Sequence, residues 1–244
     1  MTIPVINYNV ERKMYGNDFS NNTKMTRLSV EAVIFDADGV IFDSEKLWDI
    51  GDGHFMAKRG IKKIDDTVKV KLAGTSLHAG TQLLLSSHGI QEDIQKASAE
   101  RMKIMEDLYS SNIEFMNGFP EFFNWLNIKG IKSAVATSMN KSLFPPIDKR
   151  TGFLKKFDHQ VFSVSDVENA KPAPDIYLFA AKNIQVNPDK CLVIEDAPNG
   201  IKAAKSAGMF CIGLSTTFKP TYLTEADIIC NSFTEIREFI TLKI

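Results

Sequence analysis

Six short apolar runs recur along the chain from Ala32 onward, and each is about as long as one β-strand. Several are rich in valine and isoleucine, and most lack the polar alternation of a sheet with one wet face. The runs are AVIFDAD, SAVATS, QVFSVSD, CLVIED, FCIGL and DIIC. Because strands that are buried on both faces occur in parallel sheets covered by helices, the pattern predicts a central parallel sheet.

Helical patterns fill the stretches between these runs. Pro120 lies near the start of FPEFFNWLNIKG, and Gly130 lies at its end. Pro174 lies in the first turn of APDIYLFAAKNI, and APNGIKAAKSAG stops at Gly208. Proline at the start and glycine at the end are typical of helices. The repeated order of strand and helix predicts a doubly wound, Rossmann-like α/β core, whose ligands bind beyond the carboxyl ends of the strands.

The stretch from Glu45 to Met116 departs from this alternation, because it holds several helical patterns and no convincing strand. We expect an all-helical cap, residues 45–117, inserted into a core made of residues 29–44 and 118–244. The chain would cross between cap and core twice, and two crossings make a natural hinge. Residues 1–28 are polar, without the apolar core of a signal peptide, and we expect them to form an N-terminal extension.

Composition restricts the partners that this chain can bind. The 244 residues carry a formal net charge of -1, which gives no electrostatic case for binding nucleic acid or an anionic membrane. No stretch approaches the roughly 20 apolar residues that span a bilayer. Cys191, Cys211 and Cys230 lie in apolar runs without the paired spacing of a zinc or redox site. We therefore expect buried thiols in a cytoplasmic protein.

Polar side chains follow four of the predicted strands. If the sheet is parallel, they converge on one crevice. Taken singly, each could be an ordinary turn residue, since aspartate favours strand exits. Crowded carboxylates require a cation, and hard oxygen ligands without thiolate or imidazole favour Mg²⁺. In strand order the residues are Asp36 with Asp38, Thr137 with Ser138, Asp166, and Glu195 with Asp196, and Lys171 lies shortly after the third strand.

This combination of residue types suits phosphoryl transfer, in which a dianion must be positioned and its charge neutralised. A carboxylate can attack phosphorus and form an aspartyl-phosphate, which divides one difficult step into two easier ones. A second carboxylic acid two residues further on can protonate the leaving alkoxide and later deprotonate the hydrolytic water.

Four motifs resemble those of the haloacid dehalogenase (HAD) superfamily, in the same order, from about Ala32 to Ile229. FDADGVIFDSE resembles the first motif, AVATS the second, KPAPDIY the lysine motif and VIEDAPNGIKAAKSAGM the acidic fourth motif. A helical cap after the first motif is similar to the subfamily of β-phosphoglucomutase, pseudouridine-5'-phosphatase and bacterial sugar phosphatases. The resemblance implies a Mg²⁺-dependent enzyme that acts on a small phosphorylated metabolite.

The resemblance also implies roles for the charged residues. Asp36 would be the nucleophile and a Mg²⁺ ligand. Asp38 would be the general acid/base and offer its backbone carbonyl to the metal. Asp196 would bind the metal with Glu195 beside it. Lys171 would screen charge on the phosphate and on the nucleophile.

Further positions that match the family concern the phosphate and the entry to the cap. Thr137 would hydrogen-bond a phosphate oxygen, and Ser138, next to it, would also bind the phosphate. Gly39 suits a sharp turn that aims backbone N–H groups at the phosphate. Asp43 and Ser44 would fix the turn into the cap.

Several positions discriminate among the reactions of the superfamily. Asp38 argues against dehalogenases and phosphonatases, which lack this aspartate. β-Phosphoglucomutases hold a second phosphate with basic residues, at positions where LAGTSL has Ala73 and Leu77, and Trp48 replaces their cap histidine. Without these two cations, binding of a second phosphate would lose about 1.5 to 3 kcal/mol for each missing charge-assisted hydrogen bond. We expect a phosphatase, monomeric or homodimeric. The alternatives are a phosphomutase and a non-catalytic phosphometabolite-binding protein.

Overall fold

The computed structural model describes residues 28–72 and 75–243. In this part of the chain, six strands form one sheet in the order β3-β2-β1-β4-β5-β6, and every neighbouring pair is parallel. The predicted doubly wound parallel sheet is therefore confirmed. The strands are β1 (Ala32–Phe35), β2 (Lys132–Thr137), β3 (Val161–Ser163), β4 (Cys191–Glu195), β5 (Phe210–Leu214) and β6 (Ile228–Cys230).

Helices precede or follow each strand, with ends close to those that the proline and glycine positions predict. Gly130 ends α5 with a φ of 69°. Pro198 is the first residue of α9. The helices are α1 (Glu45–Ala57), α2 (Asp66–Leu72), α3 (Leu77–Ser87), α4 (Ile94–Asn112), α5 (Phe119–Lys129), α6 (Phe144–Thr151), α7 (Phe153–Lys156), α8 (Asp175–Asn183), α9 (Pro198–Ser206) and α10 (Phe233–Lys243).

Strand β1 shows why the apolar runs lack polar alternation. All four of its side chains are buried. Val33 and Phe35 belong to an apolar cluster on one face of the sheet, where the ring of Phe35 lies edge-on to Phe119 of α5. Ile34 belongs to a second cluster, which includes Tyr177 of α8. Both faces of the sheet are thus covered by helices.

Helices α1 to α4 occupy the chain between β1 and α5, and the described residues from 45 to 112 contain no strand. They share an apolar cluster of their own, which includes Phe55, Leu84 and Leu85. The division into a cap of residues 45–117 and a core of the remainder stays a prediction. Most of the predicted N-terminal extension, residues 1–27, lies outside the described residues.

The two predicted chain crossings lie side by side. The N–H of Asp43 donates to the carbonyl of Glu114 at 3.1 Å, and the N–H of Met116 donates to the carbonyl of Ile41 at 2.7 Å. Backbone hydrogen bonds therefore join the segment that enters the helical part of the chain to the segment that leaves it. None of the described helices combines the length and the apolarity needed to cross a membrane. The three cysteines are buried and form no disulfide, as expected.

Candidate active site

The ends of two neighbouring strands bring three carboxylates together. Phe35 of β1 pairs with Ile194 of β4, so that Asp36 emerges beside Glu195 and Asp196. Oxygen atoms of these three carboxylates lie within 4.8 Å of one another. The three residues are at most 8% exposed. Such crowding of buried negative charge requires compensation, because unpaired charge is expensive to bury.

Lys171 supplies part of that compensation. Its Nζ donates to Oδ1 of Asp36 at 2.6 Å, to Oε1 of Glu195 at 2.7 Å and to the carbonyl of Ala136 at 3.0 Å. Burial disfavours the charged form of Lys171, but the two carboxylates outweigh burial and raise its pKa. Lys171 is therefore a buried, charged lysine held against the predicted nucleophile.

The electrostatics of Asp36 show that one lysine does not balance the cluster. Burial raises the pKa of Asp36 to about 7, although Lys171 lowers it, and the charges of Glu195 and Asp38 add to the rise. The pKa of Asp196 is also raised well above its usual range, first by burial and then by Glu195 and Asp36. Asp196 forms no ion pair with any residue that the structure describes. This oxygen-rich cluster fits a hard divalent cation, which would remove the remaining repulsion.

Glu195 differs from its neighbours because hydrogen bonds engage both of its oxygens. Oε1 accepts from Lys171 and from the hydroxyl of Tyr177, the latter at 2.9 Å. Oε2 accepts from the N–H groups of Asp196 and Ala197, both at 3.0 Å. The carboxylate of Glu195 is thus a fixed counter-charge for Lys171.

Gly39 shapes the turn that follows Asp36. It has a φ of 74°, and a Cβ at this position would lie 2.0 Å from Oδ2 of Asp196. Its N–H donates to the carbonyl of Phe42 at 2.9 Å, and its carbonyl accepts from the hydroxyl of Thr216 at 2.6 Å. The absence of a side chain therefore lets the turn pack against Asp196. That this turn aims backbone N–H groups at a phosphate stays a prediction.

Asp38, two residues beyond Asp36, faces helix α4. The hydroxyl of Tyr109 donates to its Oδ1 at 2.7 Å. Burial raises the pKa of Asp38, while hydrogen bonds from Ser44, Tyr109 and Trp48 lower it in part. A carboxyl whose pKa lies above the usual range retains a proton more readily, which suits a general acid.

Thr137 and Ser138 lie at the end of β2, and Asp166 lies shortly after β3. Thr137 is buried, and its Oγ1 accepts from the N–H of Met139 at 3.0 Å. Ser138 is partly exposed at the strand end. Asp166 forms an ion pair with Lys141 and caps the turn after β3, so that the structure gives it a local role in this loop.

Trp48 packs inside the helical segment. Its ring is edge-on to Tyr109, with centroids 6.5 Å apart, and the guanidinium of Arg101 lies 5.0 Å from its centroid. Leu77 begins α3 and is partly buried, whereas Ala73 lies outside the described residues. The ring of Trp48 therefore packs near Asp38, whose pKa it also lowers through a hydrogen bond.

Tyr109 and Tyr177 contact the predicted catalytic residues, although sequence reasoning assigned neither a role. Tyr109 lies four residues after Met105 on the buried face of α4. Tyr177 ends the KPAPDIY stretch and is fully buried. A buried tyrosine needs a partner for its hydroxyl, and that requirement was the available signal.

Comparisons with known proteins find relatives of this chain. A model of the haloacid dehalogenase-like hydrolase family matches residues 30–208. The chain is 30% identical over 223 residues to (DL)-glycerol-3-phosphatase 1, mitochondrial, of Arabidopsis thaliana, a match that covers 88% of this chain and 74% of that protein. It is 31% identical over 189 residues to a phosphorylated carbohydrates phosphatase of Thermotoga maritima, which covers 74% of this chain and 82% of that protein. The crystal structure of β-phosphoglucomutase from Clostridium difficile matches with a TM-score of 0.74 and 27% identity, over 88% of this chain and 96% of that chain.

Proposed function

Because this chain belongs to the haloacid dehalogenase-like hydrolase family and resembles phosphatases of that family, we propose that it hydrolyses a small phosphomonoester through an aspartyl-phosphate. The family predicted from the four motifs is thereby confirmed. The observation that carries the mechanism is the contact between Lys171 and Asp36, at 2.6 Å, beside Asp196. A lysine at this position partly neutralises the nucleophile and would offset the charge of an approaching phosphate.

We propose Mg²⁺ as the cation of this site. Asp36, Asp196 and the backbone carbonyl of Asp38 would hold it, with Glu195 beside them. When bound, Mg²⁺ would neutralise charge on the phosphate and on the carboxylates. The crowding of buried carboxylates around one lysine supports a cation at this position.

The first half of the reaction uses Asp36 and Asp38. A carboxylate oxygen of Asp36 attacks phosphorus, and the bond from phosphorus to the leaving oxygen breaks. Asp38, protonated at this stage, transfers its proton to that oxygen, so that a neutral alcohol departs. Lys171 and Thr137 would hold the phosphoryl oxygens during the transfer, with Ser138 and the turn at Gly39 next to them.

The second half returns the enzyme to its starting state. Asp38, now ionised, takes a proton from a water molecule as that water attacks the phosphorus of the aspartyl-phosphate. The bond between phosphorus and the Asp36 oxygen breaks, which releases inorganic phosphate and the free carboxylate. Asp38 ends protonated again, with the proton that it took from the water.

The substrate is proposed to be a sugar phosphate or a nucleotide-like compound. A cavity of about 420 Å³ adjoins the catalytic turn, which is large enough for such a leaving group. Relatives that act on glycerol 3-phosphate and on phosphorylated carbohydrates support a small polyhydroxyl compound. The cavity is lined by Gly39, Asp43, Glu45, Lys46, Asp49, Met116, Thr216 and Thr217.

We also propose a cytoplasmic location, which the three buried free cysteines support.

Phosphate release from a panel of sugar phosphates, nucleotides and pseudouridine 5'-phosphate tests the proposal. The wild type should release phosphate with Mg²⁺, and Asp36→Asn should abolish turnover while it keeps the same far-UV circular dichroism spectrum. Normal activity in Asp36→Asn would contradict the mechanism. No release from any compound by the wild type would favour a non-catalytic phosphometabolite-binding protein.

Phosphomutase activity is the second candidate, because a β-phosphoglucomutase matches over most of both chains. Incubation with β-glucose 1-phosphate and a bisphosphate primer separates the two activities. A phosphatase releases inorganic phosphate. Formation of glucose 6-phosphate without free phosphate would overturn the proposed hydrolysis.

A further inference from the structure

Tyr177 lies behind the catalytic lysine, on helix α8. Its side chain is fully buried, and its hydroxyl donates to Oε1 of Glu195 at 2.9 Å. The same oxygen accepts from Nζ of Lys171 at 2.7 Å, and that Nζ lies 4.8 Å from the centroid of the Tyr177 ring. Tyr177 therefore contacts both Glu195 and Lys171. The hydrogen bonds that the structure describes include none between Tyr177 and Asp36.

Hydrogen bonds and close packing fix the position of the Glu195 carboxylate. Backbone N–H groups at the start of α9 bind Oε2, as described above. Gly200 leaves the space for Oε1, because a Cβ at that position would lie 1.6 Å from this atom. The hydroxyl of Tyr177, on helix α8, donates the remaining hydrogen bond to this carboxylate. Among the donors to Glu195 that the described residues provide, it is also the one that a substitution can remove without altering the backbone or a charge.

Lys171 is shared between two carboxylates, and its position reflects their competition. Its Nζ lies 2.6 Å from Asp36 and 2.7 Å from Glu195. A hydroxyl that donates to Glu195 partly satisfies that carboxylate and weakens its attraction for Lys171. Without the hydroxyl, Glu195 would draw Lys171 away from Asp36 and from the phosphate bound there.

We propose that Tyr177 is a positioning residue for phosphoryl transfer, which acts through Glu195 to hold Lys171 against Asp36. The inference rests on the proposed function, because it assigns Lys171 to the reaction described above. It concerns the tyrosine hydroxyl alone, since a phenylalanine would keep the buried ring and its contact with Lys171.

The experiment compares Tyr177→Phe with Tyr222→Phe and the wild type. Tyr222 is half exposed and provides the matched loss of one hydroxyl. The assays measure kcat and KM with Mg²⁺ and the affinity for beryllium fluoride, which mimics a phosphoryl group on a carboxylate. We expect Tyr177→Phe to lower kcat and weaken beryllium fluoride binding by about threefold to tenfold each, the range of one hydrogen bond, with KM nearly unchanged. Tyr222→Phe should match the wild type.

Each outcome separates the inference from the proposed function. If Tyr177→Phe lowers only the melting temperature, and keeps wild-type kcat and beryllium fluoride affinity well below that temperature, the hydroxyl is structural and the inference is wrong. If the wild type neither releases phosphate nor binds beryllium fluoride, the proposed function itself fails. An equal loss of activity in Tyr177→Phe and Tyr222→Phe would also overturn the inference, because that loss would not depend on the hydrogen bond to Glu195.

Discussion

The hydroxyl of Tyr109 lies 2.7 Å from Oδ1 of Asp38, and this hydrogen bond joins residues that are 71 positions apart in the sequence. Tyr109 belongs to helix α4, within the predicted cap, whereas Asp38 lies in the turn after β1. The acid/base proposed for both halves of the reaction is therefore oriented by a residue of the helical segment. Any movement of α4 relative to the sheet would change the surroundings of Asp38.

Tyr109→Phe should therefore impair proton transfer specifically. We expect hydrolysis of alkyl phosphates to slow by about threefold to tenfold, the range of one hydrogen bond. Hydrolysis of p-nitrophenyl phosphate should change less, because p-nitrophenolate departs without needing a proton. In the wild type, the hydrogen bond from Tyr109 lowers the pKa of Asp38. Tyr109→Phe should therefore raise this pKa and move the alkaline limb of the kcat/KM profile to higher pH. Equal losses for both substrates with an unshifted pH profile would contradict this role.

Much of the site could be predicted because its residues follow strands. A parallel sheet places the carboxyl ends of its strands at one edge, so the motif order was enough to bring Asp36, Lys171 and Asp196 together. The apolar runs indicated the sheet for a similar reason, since β1 and β4 are covered on both faces. These inferences depend only on local pattern and topology.

The contacts made by helices could not be predicted in the same way. Tyr109 meets Asp38 only because α4 lies over the turn after β1 in one orientation, which helical periodicity does not specify. Gly200 appears as an ordinary residue of a helix start, yet its missing side chain provides the space for Glu195. Such contacts depend on packing between elements that are distant in the sequence.

The raised carboxyl pKa values predict how stability depends on pH and on metal. Asp36 has a pKa of about 7 in the fold against 3.8 in the unfolded chain, and the pKa values of Asp38 and Asp196 are raised too. The folded, metal-free protein thus binds more protons across this window, and these groups stabilise it less as the pH rises from 3.8 to about 7. Mg²⁺ binds the ionised carboxylates, so it should raise the melting temperature more at about pH 8 than at about pH 5.

Melting temperatures in EDTA and in Mg²⁺ at the two pH values check this prediction. Asp36→Asn removes one of the titrating groups, and its metal-free stability should depend less on pH than that of the wild type. A Mg²⁺ effect that is equal at both pH values, or greater at the lower one, would show that these carboxyls are not the groups that link protons to the metal.

Gly39→Ala should damage the site more than a positive φ alone explains. Gly208 has the same φ of 74°, and a Cβ there would meet nothing within 4 Å. The stability of Gly208→Ala should therefore fall only by the cost of a left-handed backbone conformation, about 1 to 2 kcal/mol. Gly39→Ala carries that cost and also displaces the carboxylate of Asp196, so we expect a greater loss of stability together with loss of activity. Urea unfolding and phosphate release measure both effects, and equal results for the two variants would contradict the contact with Asp196.

A buried ion pair between α1 and α4 should contribute strongly to the stability of the helical segment. Arg101 donates to both oxygens of Asp52, at 2.6 and 2.9 Å, and the two side chains are 5% and 8% exposed. Asp52→Ala would leave the guanidinium of Arg101 buried without its partner, which costs about 3 to 5 kcal/mol in comparable pairs. Urea unfolding of this variant should be compared with Asp107→Ala, which breaks an exposed pair on α4 that water screens.

The double variant Asp52→Leu with Arg101→Met distinguishes the cost of an orphaned charge from the value of the pair itself. Because two apolar side chains leave no buried charge unpaired, we expect it to recover most of the stability that Asp52→Ala loses. If the double variant is no more stable than Asp52→Ala, the loss comes from packing around these positions. If Asp52→Ala is as stable as Asp107→Ala, the guanidinium of Arg101 finds solvent or another partner once Asp52 is removed, and α1 and α4 do not depend on this pair.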